Sequence, residues 1–188
     1  MDIFGPPATR LSAKTAVAEM APCAIYKGSG FGEETGVGMH LEHIINFLSI
    51  SPALATGGQP SEQELGELAQ CGFRVVINLG LLDPRYCLPN EDETVTGLGM
   101  RYHHLPVDFE APKRDDLRDF FELMAACHSE KVFVHCAANK RVSVFVALYG
   151  EARLGWSPAE GRALIARVWN PTPVWARFIE STRTASWD

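Results

Sequence analysis

The stretch His135-Cys136-Ala137-Ala138-Asn139-Lys140-Arg141-Val142-Ser143 most narrows what this chain can fold into. Before it runs Lys131-Val132-Phe133-Val134, a short apolar segment of strand type. After it, from Val142 to Leu154, Val142, Val144, Phe145, Val146, Ala147, Leu148 and Tyr149 leave no polar face. A helix apolar all round is a buried helix. Its first N–H groups have no partners within the helix, so they need caps or a bound anion. A polar turn between a buried strand and such a helix turns amides and the positive end of the helix dipole toward a phosphate-like group. The same field favours thiolate over thiol, so one geometry offers both an anion site and a nucleophile at Cys136.

Elsewhere the signals alternate. Ser51–Thr56 reads as a short strand, and Gly57-Gly58-Gln59-Pro60 as a turn. Ser61 and Glu64 make a capping box ahead of the stripe Leu65, Leu68 and Ala69, which Gly72 ends. Arg74–Leu79 is a buried strand, Asn90 to Gly97 a short helix, and Arg101–Val107 another strand. Lys113–His128 is an amphipathic helix with Leu117, Phe120, Phe121 and Met124 on one face. Lys131–His135 is the strand before the cysteine, and Gly155 stops the helix after it. Ser157-Pro158-Ala159-Glu160 is a second capping box, followed by Leu164, Ile165 and Val168 as a core face. Pro171 and Pro173 break the chain before a last amphipathic turn or two at Val174, Phe178 and Ile179. The pattern predicts an α/β fold, a mostly parallel central sheet of four to five strands flanked by helices. In such sheets ligands sit at the carboxyl ends of the strands, where Cys136 lies. Residues 1–38, with Gly-Pro-Pro at 5–7 and Gly-Ser-Gly at 28–30, read as a flexible extension with one short helix near Ala13–Met20, and 39–188 as the folded domain.

Composition removes several classes of function. The 188 residues carry a net charge of −6 with no Lys/Arg block, which argues against nucleic-acid and membrane-surface partners. No apolar run is long enough to span a bilayer, and no charged start followed by an apolar block marks a secretory signal. Cys23, Cys71, Cys87, Cys127 and Cys136 are irregularly spaced with no C-x-x-C pair, so neither a disulfide framework nor a zinc ribbon is expected and a reducing cytoplasm is the expected compartment. His103 and His104 are adjacent on a strand and face opposite sides, which argues against a shared metal. Cys71 reads as core, Cys87 as a loop residue whose alternative reading is a redox disulfide with Cys136, and Trp156, Trp169 and Trp175 as packing anchors.

Three segments together resemble the cysteine-dependent protein tyrosine phosphatases in their compact, dual-specificity-like bacterial form. They are Leu54-Ala55-Thr56-Gly57-Gly58-Gln59-Pro60-Ser61, then Leu105-Pro106-Val107-Asp108 with Ala111-Pro112, then His135–Ser143. The resemblance implies a phosphatase that forms a phosphocysteine intermediate and uses no metal or other cofactor. Its implied partner is a phosphorylated protein or small molecule. It implies Cys136 as nucleophile, Arg141 as the grip on the phosphoryl oxygens and Asp108 as the acid that protonates the leaving oxygen. His135 then sits behind the nucleophile and fixes the loop. Ala137, Ala138, Asn139, Lys140 and Val142 complete the substrate-binding loop, and Ser143 offers a hydroxyl to the thiolate. A free cysteine titrates near ~8.5, and a loop at a helix N-terminus lowers that to roughly 3.5–7.5.

The loop departs from the family pattern. That pattern has five residues between cysteine and arginine, then Ser or Thr. Here Arg141 follows Cys136 after four, Asn139 takes the loop-glycine position, and Val142 falls where arginine is expected. Asn tolerates the left-handed backbone that glycine supplies. Val cannot clamp a phosphate as a guanidinium does. Arg141 therefore either serves a loop shortened by one residue or reaches in from a displaced position. Asp108 has a second reading as a turn cap before Pro112, and Asp83 and Glu110 are competing acids. An inward Lys140 favours a polyphosphorylated small molecule. Besides the phosphatase, two functions fit a cysteine at the head of an anion-cradling loop: a phosphate-binding module without turnover, and a rhodanese-like sulfurtransferase, which the Gly-Gln-Pro-Ser and Pro-Val-Asp segments fit less well.

Overall fold

The computed structural model describes residues 41–183. The expected extension over 1–38 with its helix near Ala13–Met20, and Cys23, lie outside the described residues. After a 3-10 turn at Leu41–His43 come β1 (Leu48–Ser51), β2 (Leu54–Gly57), α1 (Glu62–Gln70), β3 (Val75–Asn78), α2 (Glu91–Gly97) and β4 (Arg101–His104). Then follow α3 (Arg114–Ala126), β5 (Val132–His135), α4 (Lys140–Arg153), α5 (Pro158–Ala166) and α6 (Pro173–Arg183).

The sheet has the order β1-β2-β5-β3-β4. Only the β1–β2 pair is antiparallel; β2, β5, β3 and β4 run parallel. The predicted mostly parallel sheet is therefore present with five strands. The inner strands β2, β3 and β5 are buried at every residue, as strands covered on both faces must be. The edge strand β4 carries the exposed Arg101 and His104. Several boundaries differ from the sequence reading. Ser51–Thr56 is not one strand: the chain turns at Pro52-Ala53, and the segment divides between the ends of a hairpin. The strand read as 101–107 ends at His104, because Pro106 has no N–H for the ladder. The helix after the cysteine starts at Lys140 rather than Val142, since a helix's first turn needs no apolar residues. The last helix is also longer than a turn or two, with eleven residues.

Successive residues of β5 face opposite sides of the sheet. Val132 and Val134 join a core with α3, α4, α5 and α6, and Cys136, just past the strand, keeps that side. At its centre Phe145 of α4 meets Phe120 at 5.6 Å, Phe178 at 6.0 Å and Trp175 at 6.3 Å between ring centroids. Phe133 and His135 face the other way, where Phe133 meets Phe73 and Phe47. Arg141 through Gly150 are all buried, as the unbroken apolar sequence requires. Among the described residues no helix is long and apolar enough to cross a membrane.

Candidate active site

The parallel strands end together, and hydrogen bonds continue past them. Leu79 N donates to His135 O at 2.8 Å, Val107 N to Leu79 O at 3.2 Å, and Gln59 N to Ala137 O at 3.3 Å. The segments after β2, β3, β4 and β5 thus converge on the turn at Cys136. Two glycines permit this. A Cβ on Gly58 would lie 2.9 Å from Ala137 O and 2.8 Å from Ile45 Cβ, so no larger residue fits without movement. A Cβ on Gly80 would lie 2.8 Å from Asn78 Oδ1, with Cys136 Cα at 3.8 Å.

Cys136 is buried, 1% exposed, against the apolar core. Asn139 adopts the left-handed conformation at φ 62°, as its place in the glycine position predicts. It begins α4 without capping it. Its Nδ2 instead donates backward, to Asn46 O at 2.7 Å and Thr56 Oγ1 at 3.0 Å. Among the described residues no protein acceptor meets the amides of Ala137, Ala138, Lys140, Arg141 or Val142. The turn therefore offers a row of N–H groups beside the sulfur.

Arg141 lies in the first turn of α4 and is only 4% exposed. Its Nη1 donates to Val107 O at 2.9 Å, which ties the cysteine loop to the segment carrying Asp108. Among the described residues no carboxylate pairs with it. Val142, in the expected arginine position, is fully buried in the core. Asp108 is exposed, and its Oδ1 accepts the Glu110 amide at 2.9 Å, the turn-capping bond of the alternative reading. The next residue is anchored: Trp175 Nε1 donates to Phe109 O at 2.8 Å, and the Phe109 ring lies 5.6 Å from both Trp169 and Trp175. Of the competing acids, Glu110 is exposed and Asp83 is tied to Arg85 on an outer loop. Ser143 donates its hydroxyl to Lys140 O at 2.8 Å and accepts from Trp169 Nε1 at 3.2 Å. Lys140 stands with Nζ 5.5 Å over the Trp169 ring. Cys87, Cys127 and Cys136 are free thiols.

Beside Ala137 opens a groove of about 460 Å³, walled by His43, Ile45, Gln59, Tyr86 and Leu88 among others. Behind the loop lies a cluster that the sequence did not reveal. Glu91, at the start of α2, is 3% exposed. Its Oε2 accepts from Asn78 Nδ2 at 2.8 Å and Tyr102 Oη at 3.0 Å, and its Oε1 accepts from Gln59 Nε2 at 2.8 Å. His135 Nε2 lies 3.0 Å from Oε1, too oblique for a straight hydrogen bond, and neither ring nitrogen has such a partner among the described residues. Burial alone would push the Glu91 carboxyl up; His135 foremost, then Gln59 and Tyr102, outweigh it and hold the group below its ordinary value. Burial first, and then the Glu91 charge, push the Tyr102 phenol well above its own. In sequence Glu91 reads only as an acidic residue in a helix's first turn. The one available signal was Gln59, a polar residue inside the Gly-Gly-Gln-Pro segment.

Residues 45–160 match the family model described as "DSP-PTPase phosphatase fused to NAD+ Kinase". No curated protein matches the chain. Among solved structures, a DUF442 protein of Shewanella putrefaciens CN-32 is 33% identical, covering 76% of this chain and 93% of that one, at a TM-score of 0.69. TpbA of P. aeruginosa is 20% identical over 76% of this chain and 86% of its own, at a TM-score of 0.59. The core catalytic domain of the PP-IP phosphatase SIW14 from S. cerevisiae is 15% identical over 72% and 83%, at a TM-score of 0.62. These last two share the fold. With the family model spanning most of the described residues, the chain belongs to the DSP-PTPase family, within the cysteine-dependent, protein tyrosine phosphatase-like phosphatases.

Proposed function

We propose that the chain hydrolyses phosphomonoesters through a phosphocysteine at Cys136. The observation that carries this reading is Arg141, a buried guanidinium with no carboxylate partner among the described residues, in the first turn of a helix whose first amides meet no protein acceptor among them. A buried charge is costly unless paired, so this arrangement calls for an anion. A phosphoryl group supplies it, with its oxygens on Arg141 and the amides of residues 137–142.

The Cys136 thiolate attacks phosphorus, forming the S–P bond as the P–O bond to the leaving group breaks. Asp108 gives its proton to that oxygen. Asp108 then takes a proton from a water that attacks the phosphocysteine, and the thiolate departs. Arg141 and the amides stabilise the equatorial charge in both steps. His135 supports the loop from behind. The groove beside Ala137 receives the leaving group. Its walls hold no Lys or Arg, and Lys140 stands over Trp169, which favours a singly phosphorylated substrate over a polyphosphorylated one.

The expected result is phosphate release from p-nitrophenyl phosphate, abolished by Cys136→Ser. Turnover that survives the substitution rejects the mechanism. A second reading, binding without turnover, rests on the 1% exposure of Cys136 and the bond of Asp108 to its own loop. It predicts that vanadate raises the melting temperature while no phosphate is released.

A further inference from the structure

Asp108 has no helix or strand of its own to hold it. Residues 105–113, between β4 and α3, form neither. Such a segment moves unless it is tied down, and a catalytic group misplaced by about 1 Å costs about 10²-fold in rate. The bond of Asp108 to the Glu110 amide stays within the segment and anchors it to nothing else. Its two neighbours are anchored. Val107 N donates to Leu79 O at 3.2 Å, and Val107 O accepts from Arg141 Nη1 at 2.9 Å. On the other side Phe109 O accepts from Trp175 Nε1 at 2.8 Å, and the Phe109 ring lies 5.6 Å from both Trp169 and Trp175. Asp108 therefore stands between two fixed peptides.

The two indoles also pack on each other, edge to face, with centroids 6.0 Å apart. Their N–H groups go to opposite partners. Trp175 donates to the acid segment, while Trp169 donates to Ser143 Oγ in α4, two residues after Arg141. One aromatic pair thus joins the segment after β4 to the helix after the cysteine. Trp175 is completely buried, against Phe178 at 5.6 Å and Phe145 at 6.3 Å. That packing accounts for its ring. It does not account for the direction of its N–H, which a buried indole must spend on an acceptor and which here goes to the residue after Asp108.

We propose that Trp175 is a positioning residue for the phosphatase reaction: its indole N–H and ring, with Trp169, clasp Phe109 and so fix the segment carrying Asp108 relative to the cysteine loop before a substrate arrives. The inference rests on the reading of Cys136 as nucleophile and Asp108 as acid. The acid segment then needs no closing step, because α6 already holds it.

The test is Trp175→Phe, which keeps an aromatic ring and removes the N–H. The measured quantity is kcat/KM, which covers the steps through breakage of the P–O bond. Phenol, like the tyrosine side chain, titrates near about 10 and needs the proton from the acid; p-nitrophenol is much more acidic and needs it less. The ratio of kcat/KM for p-nitrophenyl phosphate to that for phenyl phosphate is expected to rise about tenfold in Trp175→Phe, part of the roughly 10²- to 10⁴-fold that a positioned acid supplies. Asp108→Asn is expected to raise it further, and adding Trp175→Phe to Asp108→Asn to raise it no more. Lost packing or lost folded protein lowers both substrates alike and leaves the ratio in place, so an unchanged ratio overturns the proposal. So does a rise that persists in full when Asp108 is already replaced. Should Trp175→Phe not fold, or the unaltered protein bind without turnover, amide relaxation decides: order parameters near about 0.85 at Asp108, Phe109 and Glu110, the same with and without vanadate, support the clasp, and values below about 0.6 that rise with vanadate overturn it. Failure of the underlying reading shows separately, as turnover that survives Cys136→Ser or as a ratio that Asp108→Asn does not move.

Discussion

Helices α1 and α5 begin in one way and α4 in another. At the first two, Ser61 and Ser157 accept the amide three residues on at 3.3 Å, and Glu64 and Glu160 reach back to the serine amides at 2.7 Å. Each first turn is partly satisfied by its own side chains. α4 starts on Asn139, which belongs to the residue class that caps well, yet its amide group is turned back to Asn46 and Thr56. The left-handed backbone at Asn139 aims the side chain away from the helix and lets the loop close over Cys136. The contrast separates a helix N-terminus that only folds from one that is free to bind. The first kind is exposed and self-capped; the second is buried, uncapped and accompanied by a guanidinium.

The largest effect expected from this contrast is at Arg141. Arg141→Met keeps much of the buried volume and removes the charge. Catalytic efficiency on p-nitrophenyl phosphate is expected to fall by about 10²- to 10³-fold, the loss typical of one oxyanion-stabilising donor. Stabilisation by vanadate, read as a melting shift, is expected to vanish with it. Full activity in this variant would mean that the amides of α4 suffice and that Arg141 only ties down the Val107 carbonyl.

Asn139 comes next. Asn139→Ala places a Cβ residue without a compensating side chain at φ 62° and removes two donated bonds. The strain is about 1–2 kcal/mol, and each lost bond about 1 kcal/mol, so denaturant unfolding is expected to show a loss near ~3 kcal/mol. Asn139→Gly removes the bonds without the strain and is expected to lose about 1–2 kcal/mol less. Equal losses in the two variants would show that the side-chain bonds, not the backbone, shape the loop.

Much of this was legible in the sequence because it rests on local rules. Both capping boxes, the all-apolar helix and the left-handed Asn139 follow from residue type and spacing, and each has its expected form. The apolar runs at Val75–Asn78 and Val132–His135 announced inner strands. What stayed hidden depends on contacts between residues far apart in the chain. Glu91 meets Gln59 from 32 positions away and His135 from 44, and nothing near it marks it as buried. β1 was missed because Leu48–Ser51 is too short and mixed to show a period, and only pairing with β2 makes it a strand. Arg141 fell between the two cases. Its type and place suggested an anion grip, while its bond to Val107 O depends on where β4 ends.

The smallest effect concerns the self-capped helix and tests whether its first turn is purely structural. Ser157→Ala removes the acceptor for the Glu160 amide and is expected to reduce stability by about 1 kcal/mol, with aryl phosphatase activity unchanged. The other half of the box is pH-sensitive. The Ser157 amide foremost, then its hydroxyl, hold the exposed Glu160 carboxyl below its ordinary value. A carboxyl depressed in the folded state adds stability above its unfolded value, near about 4.3, and that contribution disappears as pH falls through the lower folded value. Glu160→Gln should therefore match the unaltered protein in acid and fall slightly below it as pH rises past that window, as read by melting temperature across pH. A difference of the same size at every pH would mean that the carboxylate charge contributes nothing to the cap. A parallel loss of activity would tie α5 to the site and remove the distinction between the two kinds of helix start.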